Sequence, residues 1–519
     1  MSEHKSPTVL VILDGYGIAP PSKGNAISLA KKPTINRLFR EYPSTTLCAT
    51  GTCVGLEDHK MSGSEAGHMN IGAGRIIEQD SKYISDSIKD GSFCMNPAMM
   101  GSVAHVKKTS SNFHVMGLMG NTDSPHSNPD HFRAVLKLAK KNGIAQVYCH
   151  LFTDGRDSYP KSALTHLKNY RKIMAEEGIG KIATLSGRFY AMDRAKNWKR
   201  LTLAYDAMVF GRGEQVGSAE EAIENAYKNN LTDEYLLPTV IMEQGESVVK
   251  IRENDSVVFF NFRSDRARQF TKLFIANDEK SILRDDMPII DKLQNLYFVT
   301  LTDFGPGLDE YTAFPEHTIS ATLPMVLGQS KKQLYIAETE KFAHVTYFLN
   351  GGYADPVDEE DRIMIDSKDV DSYAKFPEMS AQEITDVVVQ NIQNDAYDFI
   401  AINYANADMV GHTGDLEATV KAVEFLDKQI EILAGEVLKR GGNLIVTADH
   451  GNADDMMDFD SDQPNTYHTK NPVPFLLVSE KFKDSKLRDD GVLANIVPTI
   501  LDILNIEKPK LMNKKSLLQ

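Results

Sequence analysis

Cysteine is scarce. Cys48, Cys53, Cys94 and Cys149 are the only four in 519 residues, and they form neither a Cys-x-x-Cys pair nor a dense framework. A disulfide-rich scaffold is therefore excluded, and the expectation is a protein with reduced thiols in the cytoplasm. Long apolar runs are missing too. The first, Thr8–Leu13, stops at Asp14, far short of a bilayer's width, and no other reaches that width. The opening MSEHKSPTVLVILDGYG has no charged segment leading into a signal-peptide core. Nor is there a long basic run to set against a formal net charge of −15, which argues against nucleic acid or an anionic membrane as partner. An anionic substrate would have to be met by a local cluster of arginines. Repeats of solenoid period and low-complexity tracts are also absent. With 42% hydrophobic and 25% charged residues, the chain reads as a soluble globular protein of about two to four domains.

What is present is a series of buried strands that end in chemistry. Thr8–Leu13 is short, rich in β-branched residues and runs into Asp14-Gly15-Tyr-Gly17. Phe399–Tyr404 leads to Asp408 and Leu444–Ala448 to Asp449, with helical patterns at Ala381–Gln393 and Leu416–Leu438 between them. Continuous apolar strands alternating with helices predict an α/β fold with a mostly parallel sheet. Sites in such sheets lie beyond the carboxyl ends of the strands, so the three aspartates are candidates for one site.

The middle of the chain repeats the plan with the opposite charge. Phe113–Met119 leads toward His126, and Gln146–Phe152 leads to Asp154-Gly-Arg156-Asp157. Ile182–Leu185 precedes Arg188 and Arg194, and Val257–Phe262 precedes Arg263 and Arg266. Guanidinium groups at strand ends suit a bidentate grip on phosphate or carboxylate. Cation-binding ends come from both termini and anion-binding ends from the middle, which predicts one discontinuous domain with a second inserted into it. The crossings are expected near Glu78–Ser81 and within Thr302–Phe314.

Taken singly these residues are ambiguous. Ser64 in Met61-Ser-Gly-Ser64-Glu-Ala-Gly-His68-Met-Asn70 sits where most serines merely form a turn. An Asp449-His450 pair caps turns as readily as it binds metal. Asp408 and His412 lie four apart, on one face of a helix, and His468 is a loop histidine. Their sum is the argument: three aspartates, three histidines and a serine of one inferred domain form a mixed oxygen and nitrogen donor set for two Mn²⁺ or Zn²⁺ ions. Paired metals are a recurring device of phosphoryl transfer, and coordination would make Ser64 a usable nucleophile. Lys341, in Glu338-Thr-Glu-Lys-Phe-Ala-His344, reads from its charged neighbours as part of a solvated face.

VLVILDGYG, MSGSEAGHMNIGAGR, DGRD, SGRFYAMDR, FNFRSDRARQ, AETEKFAHVTYFLNGG, NADMVGHTG, TADHGNA and HTKNPVPF follow in this order from end to end. In these motifs the chain closely resembles the cofactor-independent (2,3-bisphosphoglycerate-independent) phosphoglycerate mutases of the alkaline-phosphatase-like superfamily. The resemblance implies an isomerase that interconverts 3-phosphoglycerate and 2-phosphoglycerate through a phosphoserine on Ser64. It implies a metal domain at 1–78 and 316–519 and an inserted phosphoglycerate-binding domain at 79–315, each a mostly parallel sheet flanked by helices. One Mn²⁺ would be held by Asp14, Ser64, Asp449 and His450, the other by Asp408, His412 and His468; Co²⁺ or Mg²⁺ are alternatives, and no organic cofactor is implied. His126, Arg156, Asp157, Arg188, Arg194, Arg263 and Arg266 would bind substrate, with Asp157 an acid/base. Lys341 would reach the phosphate, against the reading from its neighbours. Released glycerate would stay trapped between closed domains, and a monomer would suffice. A phosphopentomutase or plain phosphomonoesterase of the same superfamily is the nearest rival. Gly120–Asn128 departs from the family loop: it is one residue longer, lacks a glycine pair and has Asn128 in place of a second histidine.

Overall fold

Thr8–Leu13 forms a strand whose six residues are all buried. It lies parallel to and between Phe399–Tyr404 and Asn443–Thr447, with Ile12 opposite both Asn403 and Thr447. That register brings Asp14 and Asp449, each two residues further along, to the same end of the sheet. Each buried Val, Leu or Ile here contributes about 1.5–3 kcal/mol, so a slip of register is heavily penalised and the aspartates are held level. The eight-stranded sheet runs Glu360–Ile365, Gln333–Glu338, Phe399–Tyr404, Thr8–Leu13, Asn443–Thr447, Val473–Val478, Ser44–Cys48, Gly491–Val492. Only the two pairings of Val473–Val478 are antiparallel.

The computed structural model describes residues 5–58, 60–193, 195–276, 292–315, 319–458 and 463–519. The chain divides into two units, Met1–Gln79 with Thr318–Gln519, and Asp80–His317. In the first, helix Leu416–Lys439 buries Ala418, Ala422, Val423, Leu426, Ile430, Leu433 and Val437, the three-and-four spacing of an amphipathic helix. It begins at Asp415, whose side chain accepts from Ala418 N. Its buried Asp427 accepts from Thr34 N and Ile35 N at 3.1 and 2.7 Å, satisfying the free amides that open helix Pro33–Glu41. Among the described residues no helix is long and apolar enough to cross a membrane.

The second unit is built on Phe113–Leu118, flanked in parallel by Val147–Thr153 and Ser256–Phe259. Phe113 and Val115 face one core and Met116 and Leu118 another, so helices cover both faces. Lys181–Gly187 pairs in parallel beyond Val147–Thr153, and Tyr297–Thr302 beyond Ser256–Phe259. Tyr311–Phe314 is also a strand of this sheet, so the glycine- and proline-containing stretch before it is a loop within the unit rather than a crossing. Both sheets have the mostly parallel α/β character that the sequence predicts.

The expectation of four reduced thiols does not hold throughout. Cys48 and Cys53 are joined as a disulfide, their Cα atoms 5.9 Å apart, while Cys94 and Cys149 are free. The turn Gly51–Val54 folds the chain back immediately after strand Ser44–Cys48 and brings the pair within bridging distance.

A polar chain crosses the second sheet inside its core. Asp255 Oδ2 lies 3.1 Å from His114 Nε2, His114 Nδ1 3.0 Å from His150 Nε2, and His150 Nδ1 2.9 Å from Thr184 Oγ1. Burial, reinforced by repulsion from His114, holds His150 well below the ordinary imidazole pKa. The unfolded chain then binds more protons than the folded one as pH falls below about 6.5, so stability is lost with acid, by up to about 1.4 kcal/mol per pH unit for this group. Trp198, the single tryptophan, is buried in this unit and reports on it. Urea unfolding followed by its fluorescence is expected to show a midpoint that falls between pH 7 and 5.5, with a shallower fall in His150→Gln. A wild-type midpoint independent of pH would contradict this.

Candidate active site

Ser64 is the first residue of helix Ser64–Ala73, after Gly63 in extended conformation. Its hydroxyl therefore lies at a helix N-terminus, where free amides and the helix dipole favour negative charge. Gly67, one turn on, lets this helix dock directly on Asp449: a Cβ there would come within 2.8 Å of the Asp449 Cβ and carbonyl oxygen. Gly15, at φ +74°, does the same for the turn after Asp14, where a Cβ would meet the Asp408 backbone at 2.7 Å. Small residues thus bring the strand ends at Asp14 and Asp449 into contact with two helices, Asn406–Gly411 and Ser64–Ala73.

The groups that meet are tightly spaced. Ser64 Oγ lies 3.1 Å from Asp14 Oδ1 and 3.0 Å from His450 Nε2. Lys341 Nζ donates to Ser64 Oγ at 2.8 Å, Asp14 Oδ1 at 2.7 Å and Asp408 Oδ2 at 2.6 Å. Asp14, Asp408, Asp449, His450 and Lys341 are all buried. Three carboxylates against one ammonium leave two negative charges in a site shielded from water, a strong demand for cations. Burial and the neighbouring Asp449 push the Asp14 carboxyl up. At Asp408 burial acts the same way, but Lys341 and His412 outweigh it and hold the carboxyl well below its usual range. Burial of Lys341 is likewise outweighed, by Asp14 and Asp408, so its ammonium stays charged.

A second cluster adjoins Asp408. His412 Nδ1 is 2.7 Å from Thr466 O, and His468 Nδ1 is 2.7 Å from Ser62 O. A carbonyl only accepts, so each Nδ1 carries a proton, and in the neutral imidazoles both Nε2 atoms present lone pairs. Those Nε2 atoms lie 3.1 Å apart, and 3.2 and 3.4 Å from Asp408 Oδ1. Converging on a carboxylate, these lone pairs need a proton or a metal cation among them, and a divalent ion meets all three groups at once. Asp449 Oδ2 makes the same point, being buried without a hydrogen bond of good geometry. Asp408, His412 and His468 form one group of ligand atoms within 4.8 Å, and Asp14 with Asp408 and His450, or with His68 and Asp449, form others. The donor set fits divalent metal.

In the second unit, buried Arg188 is the organising group. Its Nη1 donates to Asp154 Oδ1 at 2.6 Å and to Asp157 Oδ2 at 2.5 Å, and its Nη2 to His126 Nε2 at 3.2 Å. The register that pairs Phe152 with Ser186 sets these loops side by side. Phe262 N donates to His126 O at 2.9 Å, which brings the turn bearing Arg263 and Arg266 to the same strand ends. Arg263 Nε pairs with Asp265, and the half-exposed Arg156 pairs with Glu234 at 3.1 Å.

The family model of the metalloenzyme superfamily matches residues 6–508. The 2,3-bisphosphoglycerate-independent phosphoglycerate mutase of Clostridium novyi (strain NT) is 47% identical over 515 residues, 99% of each chain. That of Clostridioides difficile (strain 630) is 46% identical over 99% of each. The chain belongs to the 2,3-bisphosphoglycerate-independent phosphoglycerate mutases. A solved phosphoglycerate mutase from Leishmania mexicana superposes with a TM-score of 0.80 at 28% identity, covering 100% of this chain and 98% of its own.

Seen as a mutase, the chain gathers Asp14, Ser64, Asp408, His412, Asp449, His450, His468 and Lys341 in one unit, and His126, Asp157 and Arg188 in direct contact in the other. Arg194 lies outside the described residues. The solvated face read from the neighbours of Lys341 is corrected: it is 4% exposed, because the short helix Thr339–Ala343 turns it inward while Thr339, Glu340 and Ala343 stay outside. Around His126, Asn128 accepts from Asp130 N at 2.9 Å and so caps helix Pro129–Lys141. Three groups escaped sequence reasoning. Asp154 holds Arg188 and accepts from Arg156 N and Asp157 N, a role its place at a strand end could have signalled. Asn452 Nδ2 donates to Asp408 Oδ1 at 3.1 Å. His68 is fully buried behind Ser64, and nothing in its glycine-rich surroundings distinguishes it from a core histidine.

Proposed function

We propose that the reaction runs through a phosphoserine on Ser64, with two Mn²⁺ ions in the donor clusters and phosphoglycerate held by the arginines. The chain is an isomerase that interconverts 3-phosphoglycerate and 2-phosphoglycerate without 2,3-bisphosphoglycerate. The observation that carries the mechanism is the Ser64 hydroxyl at a helix N-terminus, within 3.1 Å of Asp14, His450 and Lys341.

Asp14, Ser64, Asp449 and His450 hold one ion, and Asp408, His412 and His468 the other. When bound, the ions offset charge on the transferring phosphoryl group and lower the pKa of the Ser64 hydroxyl. Mixed carboxylate and imidazole donors suit Mn²⁺ or Co²⁺ better than Ca²⁺, and the Leishmania mexicana structure is described at low cobalt concentration.

His126, Arg156, Arg188, Arg194, Arg263 and Arg266 bind the anionic groups of phosphoglycerate. Ser64 Oγ attacks phosphorus in line, the bond to the glycerate oxygen breaks, and that oxygen takes a proton. Asp157, 32% exposed and fixed by Arg188, is suited to carry the proton to one glycerate hydroxyl and remove it from the other. Lys341 stabilises charge on the phosphoryl oxygens. Glycerate turns while retained and takes the phosphoryl group on its other hydroxyl. One chain supplies every group, consistent with a monomer, and we place the enzyme in the cytoplasm.

Isomerisation is expected to stop in EDTA and return with Mn²⁺. It is also expected to fall steeply below about pH 6.5, because protons compete with metal for the imidazoles. Burial opposes protonation of His412, but Asp408 outweighs it and raises the imidazole pKa, so protons compete there from a higher pH. A rate that is flat through this range, or indifferent to EDTA, would contradict the metal assignment.

A further inference from the structure

We propose that His68 and Asn403 form a positioning bridge behind the nucleophile, locking the ligands of one metal ion without ligating it. The inference rests on the metal-site reading above. Asn403, the penultimate residue of strand Phe399–Tyr404, is fully buried, as is His68. Asn403 Nδ2 lies 2.8 Å from Asp14 Oδ2 and 3.0 Å from His68 Nε2. Asp14 is a carboxylate that only accepts, so the amide nitrogen must face it, and the second amide proton then points at His68 Nε2. That ring nitrogen must carry a lone pair, which puts the ring proton on Nδ1. Nδ1–H donates to Ser64 O at 2.9 Å and faces Asp449 Oδ2 at 3.3 Å.

One side-chain pair therefore touches Asp14, Asp449 and the backbone of Ser64, three of the four groups assigned to one ion. Every donor meets an acceptor along the path. Because Nε2 is occupied by Asn403 and Nδ1 carries the proton, His68 has no lone pair to give a metal. Outer groups that fix ligands in this way are worth about 10–100-fold in metal affinity.

The test is a Mn²⁺ titration of the full-length protein after chelator stripping, read by calorimetry, with circular dichroism melting as the control for folding. The wild type is expected to bind two ions. His68→Leu and Asn403→Ser are expected still to bind two, with one weakened about 10–100-fold. His68→Asn, which keeps a donor at the Nδ1 position, is expected to lie between wild type and His68→Leu. If His68→Leu fails to fold, His68→Asn and Asn403→Ser decide, since each removes one link of the bridge. Wild-type affinity in these variants would overturn the bridge. So would loss of one ion in His68→Leu, unrescued in His68→Asn, because that makes His68 a ligand. A wild type that binds no Mn²⁺ overturns the metal reading itself and the bridge with it.

Discussion

Ser64→Ala is expected to lower isomerisation by at least about 10⁴-fold, the scale seen when a catalytic nucleophile is removed from an otherwise intact site. Acid-quenched phosphoenzyme is expected to vanish with it, while the fold persists. Ser64 is 7% exposed and small, so the change leaves little cavity. Its hydroxyl accepts from Lys341, which keeps two carboxylate partners after the substitution. A Ser64→Ala protein that isomerises at more than about a hundredth of the wild-type rate would require another nucleophile.

Lys341→Met is expected to produce the second largest loss, about 10³-fold in kcat, because in the proposed mechanism it deletes the preorganised positive charge that stabilises the transferring group. The sign of its effect on metal binding separates mechanism from architecture. Lys341 contacts Asp14 and Asp408 at 2.7 and 2.6 Å and neutralises part of their charge. Removing it leaves buried carboxylates unpaired, at about 3–5 kcal/mol, so the stripped protein should melt earlier. Mn²⁺ then meets a more negative site and is expected to bind at least as tightly as in the wild type, restoring the melting temperature. Activity and metal affinity falling together would instead make Lys341 a scaffold residue.

The strand ends were legible because short apolar runs are followed, at once or within a few residues, by an acid, an imidazole or a guanidinium. Thr8–Leu13 with Asp14 and Phe399–Tyr404 with the following Asp408 are the clearest cases. What decides the site beyond them is register and close approach. The Ile12 pairings with Asn403 and Thr447 are not written in either strand alone, yet they place Asn403 beside Asp14. Lys341 was hidden by exposed neighbours on a helix barely one turn long, where a single position faces inward. The Cys48–Cys53 pair was hidden because four intervening residues give no spacing signal until the Gly51–Val54 turn closes them. Position by position, the family motifs supplied what periodicity did not, and Asn128 marks where this chain takes its own course as a helix cap.

The most direct test of the account is conversion of 3-phosphoglycerate in Mn²⁺, without 2,3-bisphosphoglycerate, in a medium containing isotopically labelled glycerate. A phosphoryl group parked on Ser64 while its own glycerate is retained predicts 2-phosphoglycerate free of label, little free phosphate, and no product in EDTA. Product carrying label from the medium, or phosphate without 2-phosphoglycerate, would contradict transfer within one retained substrate.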